Sequence, residues 1–464
     1  MHGTAQVSAS VCPVETAFAS AIGRLTPSGV RRIGVAVSGG GDSMALLALA
    51  VNWIRGRRNG RGASPETPLV VTVDHGLRAE SSAEARGVAS FCVAQALRHE
   101  TVRLDPELLR GRGNLSANAR QGRYAAISDW AKRHGLDVVL LGHTRDDQAE
   151  TILMHLARGS GVDGLAGINE TLDRDGVRFA RPLLDISRRD LRCWLTDRRI
   201  DWIDDPTNDD ESFDRVKVRQ ALTILSPLGI DPERLASTSR IVRRQRDALR
   251  MAAAALDRSS RSIGPLGDYR FELKLLLAAP LDIRLRVLAD ALRTLGGARY
   301  RPRLDTLEGT LEAVLDQPKG RTLAGCIVLA DRDGSTLSVF REPARLPARR
   351  PLKASMVWDR RWQVTLAGPA STDGLYVAAL GKAGVVHLNG AVNQRVWVPD
   401  ANWIAAPALL RAGLPAIFLR GETRRPVAVP TVDWVANDAQ IGAEIVRIDH
   451  LSVSDTLDAS LTDG

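Results

Sequence analysis

The sequence predicts an α/β protein whose main domain is an open parallel sheet covered by helices, followed by a helical domain and a small β-rich C-terminal domain. Three observations predict it. From Arg31 to about Leu184, short β-branched runs alternate with longer helix-like stretches, the pattern of repeated βαβ units. At 464 residues the chain exceeds what one hydrophobic core organises, so two or three domains are expected. Beyond roughly Ala344 the text turns into short Pro-flanked strands.

Taken in order, RRIGVAV reads as a buried strand and DSMALLALAVNWI as the helix after it. PLVVTVDHG and SSAEARGVASFCVAQALRH repeat the pair, and TVRLD is followed by LSANARQGRYAAISDWAKRHG, with Gly135 placed as a helix stop. DVVLLGH then leads into DDQAETILMHLARG. The segment SPLGID, Ser226 to Asp231, breaks the pattern. After it Pro232–Leu256 and Leu281–Leu295 read as amphipathic, arginine-rich helices. RWQVTLAG, GLYVAAL, RVWVP and AIFLRG read as strands of the last domain, and VSDTLDASLTDG as a frayed tail. The expected domains are 1–225, 226–343 and 344–464.

Composition narrows the class. The 63 Lys and Arg against 54 Asp and Glu leave +9, which favours a polyanionic partner without naming one. Cys12, Cys92, Cys193 and Cys326 lack any CxxC spacing, which argues against a zinc ribbon, an iron–sulfur cluster or a disulfide framework and suits a reducing cytoplasm. The apolar run Met44–Ile54 is interrupted by Asn52 and stopped by Arg55, so no membrane span is expected. The first residues lack a basic stretch followed by an apolar core, so no secretory signal is expected either.

In an open parallel sheet, ligands lie beyond the carboxyl ends of the strands, and SGGGDS, DHGLR and GHTRDDQAE all fall there. Ser38-Gly39-Gly40-Gly41-Asp42-Ser43 joins a strand to a helix. Its glycines let backbone N–H groups approach an anion, the helix N-terminus adds partial positive charge, and Ser38 and Ser43 add hydroxyls, so the loop suits phosphate. A Walker A loop would carry Lys where this one carries Asp42. A carboxylate beside a triphosphate calls for magnesium between them, which suggests attack at the α-phosphorus with pyrophosphate leaving. The structural alternative is a glycine turn with Asp42 capping the helix.

The other clusters are each open to a structural account. His75 and Arg78 share the rim with the loop or form a solvated turn. Arg120, Arg123 and Tyr124 bring two guanidiniums towards phosphates or form a solvated basic face. Asp147 and Glu150, three apart at a helix start, share a face that fits an ammonium group, although Thr144 with Asp147 also resembles a capping box.

SGGGDS is the fingerprint of the PP-loop ATP pyrophosphatases, which transfer AMP to a carbonyl or amide oxygen. Taken together, SGGGDS, DHGLR, ARQGRY, GHTRDDQAET, RGSGVDGLAGI, RPLL and WIDDPTND resemble the tRNA(Ile)-lysidine synthetase family. The resemblance spans the first half of the chain and implies a Rossmann-like PP-loop catalytic domain. It also implies a cytoplasmic ligase that uses ATP and Mg2+, without a prosthetic group, to adenylate the C2 oxygen of the wobble cytidine in tRNA(Ile) with a CAU anticodon. Free L-lysine then displaces AMP to give lysidine.

It further implies that Ser38, Gly39, Gly40, Gly41, Asp42 and Ser43 bind ATP, that Asp42 and Arg123 act in catalysis with Asp42 on magnesium, and that Asp147 and Glu150 hold lysine. His75, Arg78 and His143 stand as rim residues, and a carboxylate or His143 helps the lysine amine lose its proton. No membrane partner is expected, and a homodimer is allowed. The chain departs from the family at Ser116, where many members have Glu, and at Val216 in Arg215-Val216-Lys217-Val218-Arg219. Its last domain keeps only an echo of the family, in LPAIFLRGETRRPVAVP, so a tRNA-binding role there rests on position and charge. Two rival readings are a PP-loop tRNA thiolase, disfavoured because Cys193 has no near partner, and a non-catalytic RNA-binding protein, disfavoured by the intact Asp42.

Overall fold

In a computed structural model of the chain, the described residues are 12–26, 30–58, 66–74, 81–104, 115–204, 214–298, 301–366, 372–393, 401–429 and 446–450. They fall into two compact units that divide after Arg246.

The first unit opens with α1 (Pro13–Leu25), β1 (Ile33–Ala36), α2 (Gly41–Arg58), β2 (Leu69–Asp74), α3 (Ser81–Ala94), β3 (His99–Arg103), α4 (Leu115–Arg133) and β4 (Val138–Leu140). It continues with α5 (Arg145–Ala157), α6 (Val162–Leu165), β5 (Thr171–Arg174), β6 (Val177–Ala180), α7 (Arg188–Asp197), α8 (Asp214–Leu225) and the start of α9 (Pro232–Ser260). The sheet order is β3-β2-β1-β4-β6-β5. All neighbours are parallel except β5 and β6, which form an antiparallel hairpin. That hairpin was not expected from the alternation. Its turn is Asp175-Gly176 with both φ positive, 52° and 71°, a conformation that an Asp-Gly pair supplies readily.

Period-two alternation explains the layering. Val70 and Val138 face one core with Val35, while their neighbours Val71 and Val139 face the other. On the first face α1, α2, α3 and α7 pack Phe18, Ile22, Leu46, Leu49, Val88, Leu191 and Trp194 against the sheet. On the second, α4 packs Tyr124, Ile127 and Trp130. Each fully buried apolar side chain of this size contributes about 1.5–3 kcal/mol. The helix α2 is buried along Met44–Val51, apolar on every side, and is therefore a central helix of the layer.

The order of strand addition reverses around β1, which pairs in parallel with β2 on one side and β4 on the other. This is the switch point at which an open α/β sheet forms a crevice. Gly142, just past β4, lies against the turn after β1: a Cβ there would sit 3.2 Å from Ser43 Cα and 3.3 Å from the Asp42 carbonyl carbon. The two loops approach this closely because Gly142 has no side chain.

The second unit holds the expected helix over Leu281–Gly296, with Leu304–Asp316 beside it. The stretch read as helical from its arginine-rich helices also contains a five-stranded antiparallel sheet, drawn from Arg261–Ile263, Tyr269–Glu272, Arg321–Leu323, Cys326–Ala330 and Thr336–Arg341. Its strands are short and half-buried, and the helix periodicity around them dominates the text. Two three-stranded sheets follow. Trp362–Leu366, Leu375–Ala379 and Pro415–Leu419 match three of the expected strands, while RVWVP and the C-terminal tail lie outside the described residues. No helix among the described residues is long and apolar enough to cross a membrane.

Candidate active site

The loop after β1 is held by its own hydroxyls. Ser38 N–H donates to Ser43 Oγ at 3.1 Å, the two hydroxyls lie 3.2 Å apart, and Ser43 Oγ donates to the Gly40 carbonyl at 2.9 Å. Gly39 takes φ +92°, which a side chain would oppose. Ile203 N–H donates to the Gly39 carbonyl at 3.0 Å, so the start of the WIDDPTND segment braces the loop. The two serines, expected to add hydroxyls for a phosphate, also tie the loop together. Backbone N–H groups at the start of the 18-residue helix α2 remain its means of meeting an anion.

Asp147 stands in a true capping box. Thr144 N–H and Oγ1 donate to Asp147 Oδ2 at 2.8 and 3.1 Å, and Asp147 N–H donates back to Thr144 Oγ1 at 3.4 Å. The structural account of Asp147 therefore holds, and it leaves Oδ1 for another partner.

That partner is Arg188, at the first position of α7. Its Nε donates to Asp42 Oδ2 at 2.9 Å, Nη2 to Asp147 Oδ1 at 3.1 Å and Nη1 to Glu150 Oε1 at 3.3 Å. Its backbone N–H donates to Asp146 Oδ2 at 2.7 Å. Glu150, 1% exposed, also accepts from Arg219 Nε at 2.6 Å. The expected residues Asp42, Asp147 and Glu150 are thus brought to one point. Asp42 Oδ1 and Glu150 Oε2 are buried there without a hydrogen-bond partner. Burial pushes the Asp42 carboxyl above the ordinary range, opposed by Arg188 and reinforced by Asp147 and Asp146. Burial also works against ionised Asp147, but His143, Arg188 and the Thr144 amide bring it below the ordinary range.

Beside the acids lies a basic group. Arg123, half-buried on α4, has no ion-pair partner among the described residues. Burial lowers its affinity for the proton, Tyr124 opposes this, and Arg120, Arg215 and Arg181 act in the same direction as burial. Arg181, 4% exposed, donates to Tyr124 Oη at 3.1 Å and to the Asn169 carbonyl at 2.7 Å. Four guanidiniums that repel one another make a receptor for a polyanion. His143 is half-buried between the two groups. Burial first, then Arg181, pushes it down to about 3 against the pull of Asp147, so it is neutral at pH 7. His75 and Arg78 lie outside the described residues.

The connector RGSGVDGLAGI closes the site from behind. Gln148, 3% exposed, accepts from Ile168 N–H at 2.5 Å and donates to the Ile168 carbonyl at 3.0 Å, and buried Ser239 of α9 donates to the Ala166 carbonyl at 2.7 Å. Gly167 sits between them at φ +68°.

Arg188 is the residue that sequence reasoning missed, and a signal for it exists. Ser187 caps α7 through the Asp190 N–H, so Arg188 and Arg189 occupy a first turn where cations oppose the helix dipole. Such a placement calls for nearby carboxylates.

Comparison with known proteins follows the same outline. Residues 14–225 match the PP-loop domain family. A tRNA(Ile)-lysidine synthase of Ruegeria pomeroyi is 40% identical, covering 76% of this chain and 81% of its own. One from a Bradyrhizobium species is 37% identical over 66% and 88%. One from Wolbachia pipientis is 31% identical over 73% and 77%.

Proposed function

The chain belongs to the tRNA(Ile)-lysidine synthase family, an ATP-dependent ligase acting on tRNA(Ile), and from that premise we propose how its own residues divide the reaction. ATP adenylates the C2 oxygen of the wobble cytidine, releasing pyrophosphate. The lysine ε-amine then attacks C2 and the bond to AMP breaks, leaving lysidine. The observation that carries the assignment is an acidic group, which includes Asp42 of the glycine loop at the switch point of the sheet, with a basic group acting on its neighbour His143.

The backbone of Ser38–Ser43 and the start of α2 receive the phosphates, and Arg123, with Arg120, Arg181 and Arg215 around it, neutralises the charge that leaves as pyrophosphate. Magnesium fits Asp42: a buried carboxylate oxygen without a donor is the kind of protein ligand that this ion takes, one or two at a time, beside substrate phosphates. When bound, it stabilises negative charge on the leaving group.

Asp147 and Glu150 receive the lysine ammonium, with Glu150 Oε2 as the open acceptor. Neutral His143 borders the site without drawing charge from either group. A base held near 3 does not keep the amine's proton, and Asp147, itself below the ordinary carboxylate range, does no better, so that transfer is assigned to solvent. The second unit is assigned to the tRNA backbone. Its turn after Pro415–Leu419 gathers the Thr423, Arg424 and Arg425 N–H groups on Glu422 Oε1 and leaves both arginines exposed. The thiolase reading loses ground, because Cys92 and Cys326 are buried and their thiols are pushed up to about 11 and about 12.

The test is incubation with ATP, magnesium, labelled lysine and CAU-anticodon tRNA. Label is expected on the RNA with AMP released in step, and AMP release without label on RNA refutes the lysine assignment.

A further inference from the structure

The acidic group is built around a cation that belongs to the protein. Asp42 comes from the loop after β1, Asp147 and Glu150 from α5, and Arg188 from α7. The guanidinium takes one oxygen from each of the three acids, at 2.9, 3.1 and 3.3 Å. The second oxygen of Asp147 is committed to the Thr144 cap. The second oxygens of Asp42 and Glu150 are the two that remain buried and without a donor. Arg188 is itself pinned, because its backbone N–H is held by Asp146 at 2.7 Å and its helix is capped by Ser187. Three contacts from one planar fork fix geometry, which a lysine in its place would not.

Counting Asp42, Asp147, Glu150, Arg188 and Arg219, three negative charges meet two positive ones. The resident arginines thus do not outnumber the acids that they hold.

From this geometry we infer that Arg188 is a positioning residue shared by both half-reactions. By holding the inner oxygens of Asp42, Asp147 and Glu150, it presents Asp42 Oδ1 to the adenylation step and Glu150 Oε2 to the incoming amine. The inference rests on the assignment of lysine to Asp147 and Glu150. It adds that the acid serving ATP and the acids serving lysine are set by one guanidinium, so neither can be adjusted alone. Arg188 touches neither substrate in this account.

The experiment uses the full-length protein and compares Arg188→Gln, Arg188→Lys and Arg188→Ala. Pyrophosphate release with tRNA but without lysine reads adenylation, label transfer reads the lysine KM, and filter retention reads tRNA binding. Arg188→Gln should lower the adenylation rate and raise the lysine KM together, each by about tenfold or more, with tRNA retention unchanged. Arg188→Lys keeps the charge but not the fork and should recover less than half of either loss. Millimolar ethylguanidinium should restore part of both activities to Arg188→Ala, and ethylammonium should not, an effect that a general loss of folding does not produce.

A lower lysine KM in Arg188→Gln would overturn the inference, making Arg188 a competitor for the amine site. Full activity in Arg188→Lys, or loss of only one half-reaction, would overturn it as well. The underlying assignment fails separately: Asp147→Asn would then leave the lysine KM untouched whatever the Arg188 variants do.

Discussion

Asp147 carries two roles that can be pulled apart, because its two oxygens serve different partners. Oδ2 closes the capping box with Thr144, and Oδ1 meets Arg188 in the acidic group. Thr144→Ala removes the cap and keeps the charge. N-cap losses cost about 1–2 kcal/mol, and in a unit of this size each kcal/mol lowers Tm by roughly 2–4 °C. Asp147→Asn keeps one acceptor oxygen where two are used, so its amide group must face either the Thr144 N–H or the Arg188 guanidinium. The stability cost is again about 1–3 kcal/mol. Only the second variant loses the charge that is proposed to meet lysine. A charge-assisted hydrogen bond of roughly 1.5–3 kcal/mol corresponds to a lysine KM raised about tenfold to a hundredfold. Thermal unfolding and lysine-dependent label transfer on both variants decide the matter. Equal Tm losses with a changed KM in Asp147→Asn alone are expected. An equal rise in KM for Thr144→Ala would mean that Asp147 acts on lysine only by holding the helix start, and the direct contact would be refuted.

Asp42→Ala should abolish AMP formation while tRNA retention stays within about twofold, and parallel loss of both would refute a role confined to ATP. The Asp42 carboxyl is raised by burial, so it stays protonated to higher pH than a free aspartate. Without magnesium its titration midpoint, followed by carboxyl NMR, should therefore lie above 3.8, and a midpoint at or below that value refutes its burial. Asp147 runs the other way: its depressed value adds stability above the ordinary carboxylate range, lost as pH falls through the lowered value. His143, pushed down to about 3, should show no NMR titration between about pH 5 and 8, and a midpoint near 6.5 would refute its burial between the two groups. Gly167→Ala places a Cβ 2.8 Å from Ser239 Oγ at φ +68° and against Gln148 Oε1. A loss of about 2–4 kcal/mol by denaturant titration is expected, and a neutral result refutes the tight closure of the connector.

Much of the first unit was legible because its signals are local. Strand runs such as LVVTVD and the stop at Gly135 are written in consecutive residues, and the turn at Ser38–Ser43 is marked by glycine content and position. Asp147 and Glu150 were legible as a face of one helix. Arg188 was not, since its meaning depends on three carboxylates contributed by two distant segments, and spacing along the chain does not carry that information. The bonds between Ser38 and Ser43 were not legible for a related reason. A hydroxyl looks the same in text whether it faces a ligand or the next serine, and only the 3.2 Å separation tells them apart. The sheet of the second unit was hidden by strands as short as Arg261–Ile263, too brief for an alternating pattern to stand out.

The Arg188 contacts have a consequence for the order in which the enzyme comes into being. The sheet is complete in sequence by Ala180, before Arg188 and well before Arg219 leaves the ribosome. A nascent chain of that length carries Asp42, Asp147 and Glu150 with neither guanidinium to balance them, and three crowded carboxylates resist burial together. The charge balance of the crevice is therefore complete only with α7 and α8 both in the chain, and a polypeptide ending between them holds Arg188 but lacks the Arg219 contact to Glu150.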